Sequence, residues 1–62
     1  MSNYEWHYQW IKELVHVGIP VESAQKAFKE RIGNVDNVNS EKDAVVEAGL
    51  FVQSRKAYPL DD

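Results

Sequence analysis

The chain has 62 residues, no cysteine and two histidines, which excludes a disulfide framework and leaves too few ligands for a convincing zinc site. Seven basic against ten acidic residues give a net charge of -3, so the overall field does not favour nucleic acid. A chain of this length forms one domain, residues 1–62, and buries only about 60% of the surface that its unfolded form exposes. Self-association is then the remaining common way to enlarge a small core.

The sequence also bears on the compartment. No apolar run approaches the roughly 20 residues of a membrane span, and the N-terminal residues lack the basic and apolar segments of a secretory signal. We therefore expect a soluble, cytoplasmic protein without a membrane partner.

The N-terminal segment concentrates the aromatic residues. Four of the seven aromatic side chains of the chain fall within seven positions, at Tyr4, Trp6, Tyr8 and Trp10. Their alternation with polar residues is a strand signal, but the apolar spacing that follows is helical and no turn residue intervenes. We predict a single helix over residues 4–17.

This first helix has two apolar faces. At 100° per residue, one face holds Trp6, Trp10, Leu14 and Val17, and its neighbour holds Tyr4, Tyr8, Ile11 and Val15. Together they cover about 200°, well beyond the roughly 100° stripe that one small core requires. We predict that one face forms the core and the other forms the interface of a homodimer, and we favour the Trp6 and Trp10 side for association.

Two further helices follow in the sequence. Gly18-Ile19-Pro20 predicts the end of the first helix, since glycine closes helices and proline cannot continue them. Pro20 suits the first turn of a second helix, predicted over residues 20–32 with one-sided amphipathicity. Gly33 ends it, and an asparagine-rich loop follows.

Ser40 followed by Asp43 resembles a capping box, so the third helix is predicted over residues 40–57, with a frayed tail over residues 58–62. Gly49 inside this helix indicates a kink or the close approach of another helix. Val46 and Leu50 form a second apolar stripe, which we predict as an additional contact. The fold class is therefore all-α, a three-helix domain forming a helical homodimer.

The sequence contains no recognisable catalytic or ligand-binding motif. No serine lies in a recognisable nucleophile motif, and there is no glycine-rich phosphate loop. His7 and His16 lie about 180° apart on the first helix and cannot share a metal in one chain. We predict no enzymatic activity, no metal and no cofactor. His7, on the apolar arc, is predicted at the interface, either titrating near neutral pH or hydrogen-bonded without switching.

The segment around Gly18 resembles two families. One is the helix-turn-helix of DNA-binding proteins, which also joins two helices through a glycine turn. The residues that carry this similarity are Leu14, Val17, Gly18, Ile19, Pro20, Ala24, Ala27 and Phe28. That resemblance implies DNA binding or modulation of transcription as the alternative function. Gln25, Lys26 and Lys29 would then contact bases in the major groove. The same segment, with Asn34-Val35, also resembles the ubiquitin-associated domain, a three-helix bundle.

A third resemblance covers the whole chain. The stretch from Trp6 to Leu14, running into Gly18-Ile19-Pro20, is similar to a small early protein of lambdoid phages, encoded between the exonuclease and excisionase genes. The resemblance implies a non-enzymatic accessory protein in the bacterial host cytoplasm, acting on the host cycle or the lysis–lysogeny choice.

We therefore predict a protein that acts by protein–protein interaction, with itself and with an unidentified host protein, and with nucleic acid as an unfavoured partner. The predicted interface residues are Tyr4, Trp6, His7, Trp10, Leu14, Val17, Val46 and Leu50.

Overall fold

A computed structural model describes the backbone of residues 2–57 and the side chains of residues 2–55. Over this part, the chain forms helix α1 (Asn3–His16), helix α2 (Val21–Arg31), a short 3₁₀ helix (Val35–Asn37) and helix α3 (Ala44–Ala57), with no strand. The all-α class and the three α-helices are thus confirmed. The predicted tail, residues 58–62, lies outside the described residues.

Helix α1 begins and ends with hydrogen-bonded caps. The Ser2 hydroxyl accepts a hydrogen bond from the Glu5 amide at 3.1 Å, and the Glu5 carboxylate accepts one from the Ser2 amide at 3.0 Å. This reciprocal capping box satisfies free amides of the first turn. At the other end Gly18 has φ +105°, and the Ile19 amide donates to the Leu14 carbonyl at 3.0 Å. Gly18 therefore closes the helix, as predicted.

Helix α2 starts one residue later than predicted, because Pro20 precedes its first residue, Val21, and serves as the cap. The Pro20 carbonyl accepts a hydrogen bond from the Ala24 amide at 2.9 Å. At the far end Gly33 adopts φ +113°, and its amide donates to the Phe28 carbonyl at 3.2 Å. The predicted stop at Gly33 is confirmed.

The predicted start of the third helix at Ser40 is wrong. Residues 40 and 41 lie in a turn, where the Asn39 side chain accepts a hydrogen bond from the Glu41 amide at 3.1 Å. Asp43 caps α3 instead, since its carboxylate accepts from the Val45 amide at 2.9 Å. A further constraint comes from Trp6, whose indole N–H donates to the Lys42 carbonyl at 2.8 Å. In a helix that started at Ser40, the Lys42 carbonyl would instead point along the helix axis, towards an amide of the next turn.

The core is centred on α1, which packs against both α2 and α3, whereas α2 and α3 do not approach each other closely. Small residues on the outer helices face large residues on α1, which lets the helix axes approach. The buried set comprises Trp6, Trp10, Leu14, Ala24, Phe28, Ala44 and Ala48. α1 is therefore the element on which the whole fold depends.

The close approach of another helix predicted at Gly49 is not found, whereas the predicted alternative, a kink, stays a prediction. Helix α3 runs from Ala44 to Ala57 without interruption, and a Cβ added at Gly49 would meet no described atom within 4 Å. The position therefore carries the entropic cost of glycine without a packing reason for it.

We accordingly predict that Gly49→Ala raises the free energy of unfolding by about 0.5–1 kcal/mol, measured by urea denaturation followed by circular dichroism. Gly18→Ala is the matched control. It should instead lower the free energy, because alanine is strained at a positive φ. A lower denaturation midpoint for the Gly49 variant would contradict this account of α3.

Candidate interaction surface

The two indole rings of α1 lie inside the chain. Trp6 is 3% exposed and Trp10 is fully buried, as is Leu14. The Trp10 ring meets Phe28 edge-on at 5.6 Å and lies 5.4 Å from the Phe51 ring. A fully buried side chain cannot contact a partner while the fold is intact. The prediction that Trp6, Trp10 and Leu14 line an interface is therefore wrong.

The burial of the Trp6 ring has a physical reason. The Trp6 indole N–H finds an acceptor within the chain, the Lys42 carbonyl, so its burial leaves no unsatisfied donor on that ring. Alanines on α2 and α3 provide the space, since Ala24, Ala44 and Ala48 are all fully buried. The indole side of α1 thus forms the core.

The neighbouring face of α1 is open. Tyr4 is 75% exposed, Tyr8 is 65% exposed and Val15 is also exposed. Ile11, between them, is half-buried and packs against the edge of the core. This face, which we call the tyrosine seam, comprises Tyr4, Tyr8, Ile11 and Val15. Of the predicted interface residues, only Tyr4 belongs to it.

Charged side chains border the tyrosine seam on one side. The Lys12 ammonium lies 5.9 Å from the centre of the Tyr8 ring, a separation at which a cation and an aromatic face attract. Glu5, which caps the helix, and Lys12 are both exposed. The seam therefore combines large apolar area with one acidic and one basic neighbour.

His7 takes part in packing within the chain. It is half-buried, and its ring centre lies 4.1 Å from that of Phe28 on α2, with 33° between the ring planes. The structure places His7 between α1 and α2, on the opposite border of the tyrosine seam from Lys12.

The outer side of α3 carries the second predicted stripe. Val46 and Leu50 are both about half exposed, and they lie on the side of the helix away from the buried Ala44 and Ala48. The exposed position of this stripe agrees with its predicted role as an additional contact, which itself stays a prediction.

Val17 is half exposed and separate from the seam. With Ile19, Val52 and Arg55 it lines a shallow groove of about 290 Å³. Sequence reasoning did not identify this groove. The signal for it was weak, because Ile19 belongs to the turn and Val52 to the main stripe of α3.

Another feature missed from the sequence is the pair of guanidinium groups over Phe51. Arg31 lies 5.5 Å from the ring centre and Arg55 lies 5.9 Å from it. Arg31 also lines a cleft of about 310 Å³ with Trp6, Trp10, Ile32, Asn37, Val38, Asn39, Lys42 and Glu47. Arg31 on α2 and Arg55 on α3 thus both lie near the Phe51 ring.

The residues assigned to the DNA-binding alternative all lie on the outer side of α2. Gln25, Lys26 and Lys29 are exposed, and so are Glu22 and Glu30 on the same helix. With Arg31, which is also exposed, α2 carries three basic and two acidic side chains, a net charge of only +1 to attract phosphate.

Among the described residues, no three potential ligand side chains come together as a metal site would require. No helix in the same part of the chain has the length and apolar character needed to cross a membrane. No protein-family model, no curated protein and no solved structure matches the chain. The resemblances to helix-turn-helix, ubiquitin-associated and phage proteins stay predictions.

Proposed function

We propose that this chain is a non-enzymatic interaction module that self-associates as a homodimer through the tyrosine seam of α1. The observation that carries the proposal is the exposure of Tyr4 and Tyr8, 75% and 65%, beside the exposed Val15. Three large apolar side chains on one open helix face form a patch of the kind that marks interaction sites. Helix α1 thus does expose apolar surface, on the side of Tyr4 and Tyr8.

Tyrosine suits such an interface. Each ring buries a large apolar area at a small cost in side-chain entropy, while its hydroxyl can stay hydrated or hydrogen-bond at the rim. Aromatic residues are also enriched among the few positions that dominate binding energies. Tyr8 is the more central of the two in the seam and is the stronger candidate anchor.

For the cellular role, we propose an accessory protein of a lambdoid phage, present in the host cytoplasm and acting on a host factor or on the lysis–lysogeny choice. Support for this role comes from the resemblance of residues 6–14 and of Gly18-Ile19-Pro20. The exposed Val46 and Leu50 on α3 supply a second surface, by which a dimer could bind a host protein while α1 holds the two copies together.

DNA binding by α2 is the second candidate, favoured by the exposure of Gln25, Lys26 and Lys29. It ranks below protein binding because Glu22 and Glu30 share that side of the helix and the chain carries a net charge of -3. Proteins that bind DNA gain much of their affinity by releasing counterions from phosphates, which requires a basic surface.

A dilution series of the ¹⁵N-labelled chain, followed by two-dimensional NMR, tests the proposed interface. We expect the amide signals of Tyr4, Tyr8 and Val15 to shift with concentration, because their surroundings change when the dimer forms. The signals of Lys26 and Lys29 on α2 serve as the internal control and should stay constant. Concentration-dependent shifts confined to α2 or α3, or no shifts at all, would contradict the proposal.

A further inference from the structure

The tyrosine seam has the spacing of a two-stranded coiled coil. Steps of four, three and four residues separate Tyr4, Tyr8, Ile11 and Val15, which is the d-a-d-a order of a heptad repeat. We propose that α1 of a second copy of this chain packs on the seam in the antiparallel direction. The inference rests on the proposed function and adds the orientation and register of the two helices.

The two flanks of the seam differ in accessibility. In this heptad register Glu5 and Lys12 occupy e positions, and both are exposed. His7 and Leu14 occupy g positions, and both are engaged within the chain, His7 against Phe28 and Leu14 in the core. A second α1 therefore has an open flank only on the side of Glu5 and Lys12.

Charge complementarity favours the antiparallel direction. When two identical helices pack antiparallel, e positions face e positions and g positions face g positions. Glu5 of one protomer then lies beside Lys12 of its partner, and the pair occurs twice by symmetry. In a parallel dimer each e position faces a g position, so Glu5 and Lys12 of one protomer lie beside His7 and Leu14 of the other and the ion pair does not form.

Side-chain volumes favour the same direction. With Glu5 opposite Lys12, the antiparallel layers pair Tyr4 with Val15 and Tyr8 with Ile11. Each large ring then meets an aliphatic residue, which allows close packing across the seam. A parallel dimer would instead place each tyrosine against its own copy and leave the smaller residues opposite one another.

Both flanking groups already make contacts beside the seam. The Glu5 carboxylate is fixed at the first turn by the Ser2 amide, 3.0 Å away, and the Lys12 ammonium lies over Tyr8 at 5.9 Å from the ring centre. Groups ordered before association lose less conformational entropy when the dimer forms. The structure thus presents both members of the ion pair along the edge of the seam.

Cross-linking of single-cysteine variants tests the direction, since the chain has no cysteine of its own. Glu5→Cys, ¹⁵N-labelled, is mixed with unlabelled Lys12→Cys, treated with a short bifunctional maleimide and analysed by mass. In the antiparallel dimer positions 5 and 12 lie opposite, whereas two copies of position 5 are offset by seven residues, about 10 Å along the axis. We expect mixed cross-links well above half of all dimers.

Glu5→Cys mixed with Lys26→Cys, on the outer side of α2, is the control and should give little cross-linking of any kind. Mixed products at or below the statistical half would overturn the antiparallel register while leaving self-association intact. If the unmodified chain instead stays monomeric in sedimentation, the proposed function itself fails, and the orientation fails with it.

Discussion

Replacing Trp10 by alanine is expected to lower the free energy of unfolding by about 3–5 kcal/mol, the usual range for deleting a buried tryptophan side chain. Trp10 is fully buried and is in contact with Phe28 on α2 and Phe51 on α3. Because the backbones of α2 and α3 both approach α1 and not each other, a cavity at this position loosens both contacts together. A domain of this length is stable by only about 3–9 kcal/mol, so the variant should lose a large share of its stability and unfold at a much lower urea concentration.

Urea denaturation followed by far-ultraviolet circular dichroism measures this effect at a protein concentration low enough to keep the chain monomeric. Trp10→Phe should cost much less, because an aromatic ring still fills part of the space. Val46→Ala, at an exposed position of α3, should change the free energy by no more than about 0.5 kcal/mol. A Trp10→Ala variant as stable as the Val46 control would show that this ring does not hold the helices together.

The combined change Tyr4→Ser with Tyr8→Ser is expected to weaken self-association by about 100-fold or more. Each dimer would lose four tyrosine rings, and aromatic anchors at the centre of an interface often contribute more than 1 kcal/mol each. The monomer should stay folded, since Tyr4 is 75% and Tyr8 is 65% exposed. Sedimentation equilibrium gives the dissociation constant, and circular dichroism checks the fold.

Val46→Ser with Leu50→Ser is the matched control, since it removes two exposed apolar side chains from α3 and leaves α1 unchanged. Self-association of this control should equal that of the original chain. Loss of dimer in the control, with the tyrosine variant unaffected, would move the interface from α1 to α3 and reject the tyrosine seam.

Much of the backbone could be predicted from local sequence signals. The apolar spacing from Trp10 onward outweighed the alternation of the first aromatic residues, and α1 covers Asn3–His16. Gly18 and Gly33 were identified as helix ends, and both adopt positive φ. These signals are reliable because they depend on a few neighbouring residues and on conformations that glycine adopts most readily.

The start of α3 shows where local signals fail. Ser40 and Asp43 are both good capping residues, and a sequence alone does not say which of them the chain uses. The choice of Asp43 is accompanied by a contact 36 residues distant, the hydrogen bond from the Trp6 indole to the Lys42 carbonyl. A tertiary contact of this kind has no signature within the loop itself.

The outward face of α1 was predicted incorrectly for a related reason. The helical periodicity identifies two adjacent apolar faces on α1 but does not say which of them is buried. A tyrosine hydroxyl and an indole N–H both need a partner when buried; the Trp6 N–H has one in the Lys42 carbonyl, whereas Tyr4 and Tyr8 stay exposed. The alanines on α2 and α3 then accommodate the two indoles.

Sedimentation equilibrium of the unmodified chain over a wide range of concentrations tests the central claim, that α1 carries more apolar surface than one protomer buries. We predict an average mass that rises with concentration from that of the 7.1 kDa chain towards twice that value, and a rise that the Tyr4→Ser with Tyr8→Ser variant does not show. A mass of one chain at every concentration, for the unmodified protein, would contradict the account.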